Sequence, residues 1–187
     1  MRIIAGSARG RSIRAPEGRD TRPTLDRVRE NLFNMLQTEV PGSRVLDLFA
    51  GSGALSLEAL SRGAAFAVLT DHDRRAVQTQ RENISALGFT EQTRVMQADW
   101  REAVRRLQTE RERFDLVFLD PPYAMTDLRD VLKALRNLLQ EDALVVVEHR
   151  SGERPVTPES FALERERSWG YCGVTFYRPD TGNTEKC

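Results

Sequence analysis

Four short apolar runs in this chain each end in aspartate: Val45-Leu46 before Asp47, 66–69 before Asp71, 94–98 before Asp99, and 114–119 before Asp120. Between them, apolar residues recur at helical spacing. Leu25, Val28, Leu32, Phe33 and Leu36 predict a first helix, with Thr24 as N-cap, Asp26 in the first turn and Pro41-Gly42 beyond its end. Residues 55–62 and 74–87 predict two more, closed by Gly63 and Gly88. Trp100, Val104 and Leu107 mark another, and Leu128, Val131, Leu132, Leu135 and Leu138 the last. The unbroken run 143–147 reads as a buried strand. The alternation then stops: 161–168 and 174–177 flank Trp169-Gly170-Tyr171, a hairpin. This pattern predicts an α/β fold, a mostly parallel sheet with helices on both faces and one reversed strand. Residues 1–22 read as an extended arm of short pieces broken by Gly6, Gly10, Pro16 and Gly18, and 179–187 as a polar, disordered tail.

A chain of 187 residues is expected to form one domain, here 23–178, between that arm and that tail. With 28 basic and 28 acidic residues the net charge is zero. The arm departs from that balance, because residues 1–16 hold Arg2, Arg9, Arg11 and Arg14 and no acid. Such a segment suits phosphate contacts, although charge alone describes a solvated terminus equally well. Cys172 and Cys187 form no spaced pair, and His72 and His149 are isolated, so neither a disulfide framework nor a metal site is expected. No signal-peptide pattern or membrane-length apolar run is present, and a cytoplasmic location is the expectation.

Two motifs carry chemistry. Asp120-Pro121-Pro122-Tyr123 closes an apolar strand. Each proline lacks an N–H and holds the residue before it extended, so carbonyls are aimed beside a carboxylate. An acid, a fixed carbonyl and a flat ring can together accept both hydrogens of an exocyclic amine and stack its base. Read alone, these residues describe a proline-rich turn just as well. The second motif, 44–53, runs Arg-Val-Leu-Asp-Leu-Phe-Ala-Gly-Ser-Gly into a helix. It resembles a dinucleotide turn, but Ser56 stands where a third glycine is wanted. Asp47, four residues before Gly51, would repel a pyrophosphate and suits a ligand bearing a cationic amine and a sulfonium. Asp71 lies eighteen residues after Gly53, the spacing of an acid that grips ribose hydroxyls, with Asp73 the second candidate.

With these motifs the chain resembles class I S-adenosylmethionine-dependent methyltransferases. Within that class it is similar to the RsmD family, which methylates the 2-amino group of a guanine in small-subunit (16S) ribosomal RNA. Besides the two motifs, the opening Met1-Arg2-Ile3-Ile4-Ala5-Gly6 with Gly10-Arg11, and the block 21–34, carry the likeness. The resemblance implies a Rossmann-like sheet of seven strands and S-adenosylmethionine as cofactor. It implies Asp120, Pro121, Pro122 and Tyr123 around the reacting amine. Asp47, Phe49, Ala50, Gly51, Ser52, Gly53, Asp71, His72, Asp99 and Trp100 are the expected cofactor residues. Arg9, Arg11, Arg14 and Arg22 are expected on RNA, within a small subunit or its precursor, and no metal or membrane partner is implied. In the family the ribose acid is commonly glutamate, so Asp71 is one methylene shorter.

Other readings of the same residues are an enzyme acting on adenine in DNA or on a protein amide, a non-catalytic assembly factor that binds the cofactor, and a nicotinamide dehydrogenase. The short chain leaves little room for a DNA target-recognition region. A pure binder has no need of 120–123, and Asp47 and Ser56 disfavour a dinucleotide.

Overall fold

Apolar residues of both parities along the central strands build two cores, one on each side of a single sheet. In β4 (Phe114–Leu119), Leu116 and Phe118 join one core while Phe114, Val117 and Leu119 join the other. A computed structural model describes residues 1–15, 23–122, 125 and 128–180, and of residues 23–25 the backbone only. Before β4 come β1 (Arg44–Asp47), β2 (Phe66–Asp71) and β3 (Thr93–Gln97); after it come β5 (Leu139–Arg150), β6 (Phe161–Trp169) and β7 (Cys172–Pro179). Their order across the sheet is β3-β2-β1-β4-β5-β7-β6. The first five run parallel, and β7 is antiparallel to β5 and β6 on its two sides. The expected reversed strand is thus β7.

The helices are α1 (Pro23–Met35), α2 (Ala54–Ser61), α3 (Arg74–Leu87), α4 (Trp100–Thr109) and α5 (Arg129–Leu135). Val28, Leu32 and Phe33 of α1, Leu57 and Leu60 of α2 and Ile84 and Leu87 of α3 share one core with Ile3, Ala8 and Ile13 of the arm. Val104 and Leu107 of α4 and Val131, Leu132 and Leu135 of α5 fill the other. None of the described helices is long and apolar enough to cross a membrane.

Three boundaries differ from the sequence reading. Pro23, not Thr24, opens α1, at a position where a missing N–H costs nothing; Thr24 is therefore inside the helix. The strand expected over 143–147 extends to Leu139–Arg150, because its outer parts pair with β4 and β7 although they are polar. The final strand continues to Pro179, which pairs with Phe161, so the polar tail begins later than 179. Residues 181–187 lie outside the described ones.

The described part of the arm, residues 1–15, is docked rather than free. Its two halves pair through Ile3 N–H to Arg11 O at 2.9 Å and Ile13 N–H to Met1 O at 3.0 Å. The buried Glu58 of α2 accepts Ile4 N–H at 2.8 Å and Ala5 N–H at 3.0 Å, and also holds Arg62 at 2.7 Å. Gly6 has φ +84, and a Cβ there would stand 1.7 Å from the Ser61 carbonyl oxygen, so only glycine lets the arm lie this close.

Candidate active site

Parallel strands place all their carboxyl ends at one edge, and residues two apart share a face. Asp47 pairs with Leu69 on one side and Phe118 on the other, so Asp71 and Asp120 each lie two residues beyond its level. Asp71 pairs with Gln97, which puts Asp99 two beyond that. Leu119 pairs with Val147, which brings Asp120 beside Glu148. Leu69, Phe118 and Val146, two residues before Asp71, Asp120 and Glu148, belong to the α1–α3 core. The sheet edge therefore carries a row of acids, Asp99-Asp71-Asp47-Asp120-Glu148, on β3, β2, β1, β4 and β5 in spatial order.

At its centre the glycine turn is built around Asp47. Its carboxylate is buried and accepts the Ser56 hydroxyl at 3.0 Å. Ser56 thus fills the missing third-glycine position with a group that orients the acid. The other oxygen, Oδ1, is buried with no hydrogen-bond partner among the described residues. Burial, and then the charges of Asp120 and Asp71, push Asp47 up to about 7 against the pull of the Ser56 bond. A buried carboxylate oxygen without a donor fits an incoming cationic amine. Gly51 and Gly53 take φ +53 and +81, and the Gly53 N–H bonds the Ala50 carbonyl at 2.7 Å. A Cβ on Gly53 would sit 2.8 Å from a Leu69 methyl.

Asp71 accepts the Gly51 N–H at 3.0 Å and the Asp73 N–H at 2.9 Å, so it joins the turn to the end of β2. A carboxylate has about four acceptor sites, which leaves capacity for ribose hydroxyls. Asp73 is the N-cap of α3, accepting Arg75 N–H at 2.8 Å, and His72 is exposed with its Nδ1 3.5 Å from Asp71. Asp99 caps α4 through Arg101 and Glu102 N–H. Beside it the Arg101 guanidinium lies 4.4 Å above the buried Trp100 ring. Phe49 is half-buried, while Ala50 and Ser52 are buried.

Two residues of α3 escape a reading of the sequence. Gln80 donates to Gly51 O at 3.1 Å and Asn83 to Ser52 O at 3.0 Å, so the turn's carbonyls are held from below. Asn83 also clasps the arm, accepting Arg14 N–H at 2.8 Å and donating to Arg14 O at 3.0 Å. Both are buried on the stripe Ala76, Val77, Gln80, Asn83, Ile84, Leu87. A polar residue on the apolar stripe is the available signal.

At the other end of the row, Asp120 is exposed, Pro121 buried and Pro122 exposed, with the Pro122 carbonyl accepting Met125 N–H at 2.8 Å. Pro121, Pro122, Met125, Leu128, Glu148 and Arg154 are among the residues lining a cavity of about 430 Å³ next to Asp120. Tyr123 and Arg22 lie outside the described residues. Of the arm arginines, Arg9 is exposed, Arg11 bonds the carbonyls of Ala86 and Leu87 that end α3, and Arg14 pairs with Glu82 at 3.0 Å. Among the described residues no group of three or more histidine, cysteine or acidic side chains is arranged to hold a metal ion.

The family model described as Conserved hypothetical protein 95 matches residues 1–178. The Ribosomal RNA small subunit methyltransferase D of Escherichia coli K12 is 37% identical, covering 95% of this chain and 89% of that protein. The protein of the same name from Haemophilus influenzae is 35% identical over 95% and 93%. The solved yhhF structure from Escherichia coli superposes with a TM-score of 0.81 at 37% identity, covering 96% of this chain and 98% of that one. By sequence over nearly its whole length and by fold, the chain belongs to the RsmD family.

Proposed function

We propose that this protein transfers a methyl group from S-adenosylmethionine to the exocyclic 2-amino group of a guanine in small-subunit ribosomal RNA. The observation that carries this reading is the placement of Asp120-Pro121-Pro122 in the same row of strand ends as the glycine turn and Asp47. A methyl-donor cleft and an amine-holding corner then share one edge. The names of the relatives support ribosomal RNA as the substrate.

Asp47 would hold the donor's amine, the Gly51–Gly53 turn its chain, Asp71 its ribose, and Asp99 with Trp100 its base. When bound, S-adenosylmethionine supplies an electrophilic methyl on a sulfonium. The work left to the protein is positioning. An aryl amine is a poor nucleophile because its lone pair is delocalised into the ring. The Asp120 carboxylate accepts one of its hydrogens and the Pro121 carbonyl the other, which makes the nitrogen more tetrahedral and localises the lone pair on it. Asp120 need not take a proton before transfer, because the amine becomes acidic once alkylated. Tyr123, by its place in the motif, stacks on the base. A paired guanine must be unstacked to enter, at a cost of a few kcal/mol that favours loop nucleotides. Arg9, Arg11, Arg14 and Arg22 position flanking phosphates without reading sequence.

The test is methylation of RNA and of small subunits from a strain lacking the protein, followed by mapping of the label. N2-methylguanine at one position of the small-subunit RNA is expected. Label on another atom or in another RNA refutes the reading.

A further inference from the structure

Glu148 follows the apolar run of β5 as Asp120 follows that of β4, and the Leu119–Val147 pairing sets the two acids abreast. Neighbouring strands lie about 4.8 Å apart, so acceptors on them reach neighbouring positions of one ring. Glu148 lines the 430 Å³ cavity together with Pro121 and Pro122, a volume inside the ~300–1,000 Å³ of small-molecule clefts.

The strand around Glu148 is pinned from behind by β7. Glu148 pairs with Val174 across the ladder, and the buried Cys172 thiol bonds the Gly173 carbonyl at 3.8 Å. The next side chain, His149, is buried, with Nδ1 2.7 Å from Arg150 O and Nε2 2.8 Å from Thr175 Oγ1. A carbonyl can only accept, so Nδ1 carries the proton and Nε2 accepts from the hydroxyl. Gly173 faces the ring so closely that a Cβ would lie 2.5 Å from it. Burial, and then the charge of Asp120, push Glu148 up to about 8. Two acceptors abreast, one of them lining a cavity, suit a ligand edge that carries two adjacent N–H groups.

Guanine presents such donors. Its 2-amino group and ring N1–H are adjacent on one edge. Adenine has a lone pair at N1 and no amine at position 2. We propose that Glu148 is the specificity-determining residue of the site: its carboxylate accepts the N1–H of the target guanine while Asp120 and Pro121 hold the adjacent amine. This rests on the guanine-N2 reading above and adds the group that rejects bases with a lone pair at N1.

The probe is a small-subunit RNA fragment spanning the mapped guanine, made with guanine or with 2-aminopurine there. 2-Aminopurine keeps the reactive amine but turns a lone pair toward Glu148. Single-turnover methyl transfer by wild-type protein at a pH above about 8, where Glu148 is ionised and can only accept, should favour guanine by about 100-fold or more, since a site built to bond an N–H rejects the analogue lacking it. Glu148→Gln, whose amide can donate to a lone pair, should bring the ratio below about 10, chiefly by gaining on 2-aminopurine. Comparing the ratio between proteins removes the intrinsic reactivity difference of the two amines, and S-adenosylmethionine affinity reports that the variant is folded. Equal transfer to both bases by the wild type overturns the proposal whether or not the variant folds. So does an unchanged ratio in a Glu148→Gln protein of normal cofactor affinity. Absence of transfer to either RNA by the wild type refutes the guanine-N2 reading itself, and this assignment with it.

Discussion

Asp47→Asn separates the cost of the buried acid from its use. Burial, with Asp120 and Asp71 nearby, raises Asp47 from the ordinary aspartate value of 3.8 to about 7. A displacement of roughly three pH units corresponds to about 4 kcal/mol. Between pH 4 and 7 the unfolded chain has lost this proton and the folded one has kept it. Stability from this residue is therefore fully present below about pH 4, falls as pH rises, and is gone above about pH 7. Asparagine has the same shape, can still accept from Ser56, and does not titrate. The stability difference, variant minus wild type, should thus grow in the variant's favour by about 4 kcal/mol at most between pH 4 and 7.5. Urea unfolding of both proteins across that range measures it, and the subtraction removes every other titrating group to first order. Wild-type affinity for S-adenosylmethionine should rise as pH rises toward 7, and the same substitution should abolish that gain, because an ionised Asp47 is what a cationic amine requires. A stability difference that stays flat with pH would refute the reasoning, since Asp47 would then be as ionised in the folded state as in the unfolded one.

Four further outcomes are expected. Asp120→Asn keeps an acceptor oxygen and should retain measurable methyl transfer, whereas Asp120→Ala should lose roughly 100-fold or more; single-turnover assays at saturating cofactor check this, and near-normal rates in the alanine variant would place the amine elsewhere. Gly51→Val should abolish cofactor binding by calorimetry, because a branched side chain at φ +53 fills the turn; unchanged affinity in a folded variant rules the cleft out. Replacing Arg9, Arg11 and Arg14 by alanine should flatten the salt dependence of RNA binding by about 0.7 log units for each phosphate no longer neutralised. An unaltered slope would leave these arginines a structural role only, which for Arg11 and Arg14 is the hold on α3. Glu58→Ala should destabilise the protein by about 3–5 kcal/mol, because it removes the acceptor for Ile4, Ala5 and Arg62 and leaves buried Arg29 without its 3.9 Å partner; a loss under about 1 kcal/mol in urea unfolding would show that the arm is held by its apolar residues alone.

The legible parts of this chain are those where hydrophobic periodicity and terminal polarity coincide. Asp47, Asp71, Asp99 and Asp120 stand out because each closes an apolar run, and the predicted span 74–87 matches α3 because Asp73 and Gly88 cap it. Glu148 obeys the same rule but is masked, because the polar stretch Glu148-His149-Arg150 that follows Val147 looks like the start of a loop. Gln80, Asn83 and Glu58 are illegible for a different reason. On a helix a polar residue at a buried position looks like part of the solvated face unless the stripe is drawn first, and their partners are backbone groups far along the chain. Asn83 meets Ser52 and Arg14, and Glu58 meets Ile4 and Ala5. The docking of the arm is hidden similarly. Its arginines are the conspicuous residues, but Ile3, Ala8 and Ile13 anchor it.

The acid row also explains why a glycine turn of this shape does not make a dinucleotide site. The start of α2 offers backbone N–H groups and a positive helix end, which by themselves attract phosphate. Here Asp47 lies buried next to that helix end, Asp71 is bonded to the turn itself, and Asp120 lies close enough to raise Asp47. A pyrophosphate would meet like charge on three strands. A ligand edge made of N–H and O–H groups would meet acceptors instead: ammonium at Asp47, ribose hydroxyls at Asp71, a ring amine at Asp99, and on the substrate side an exocyclic amine at Asp120 with its neighbouring N1–H at Glu148. The burial and the neighbouring charges that raise Asp47 and Glu148 in the free protein are offset by the same donors. On this reading the selectivity of the cleft against phosphates and for amines follows from one repeated element, an acid at the carboxyl end of each of five adjacent parallel strands.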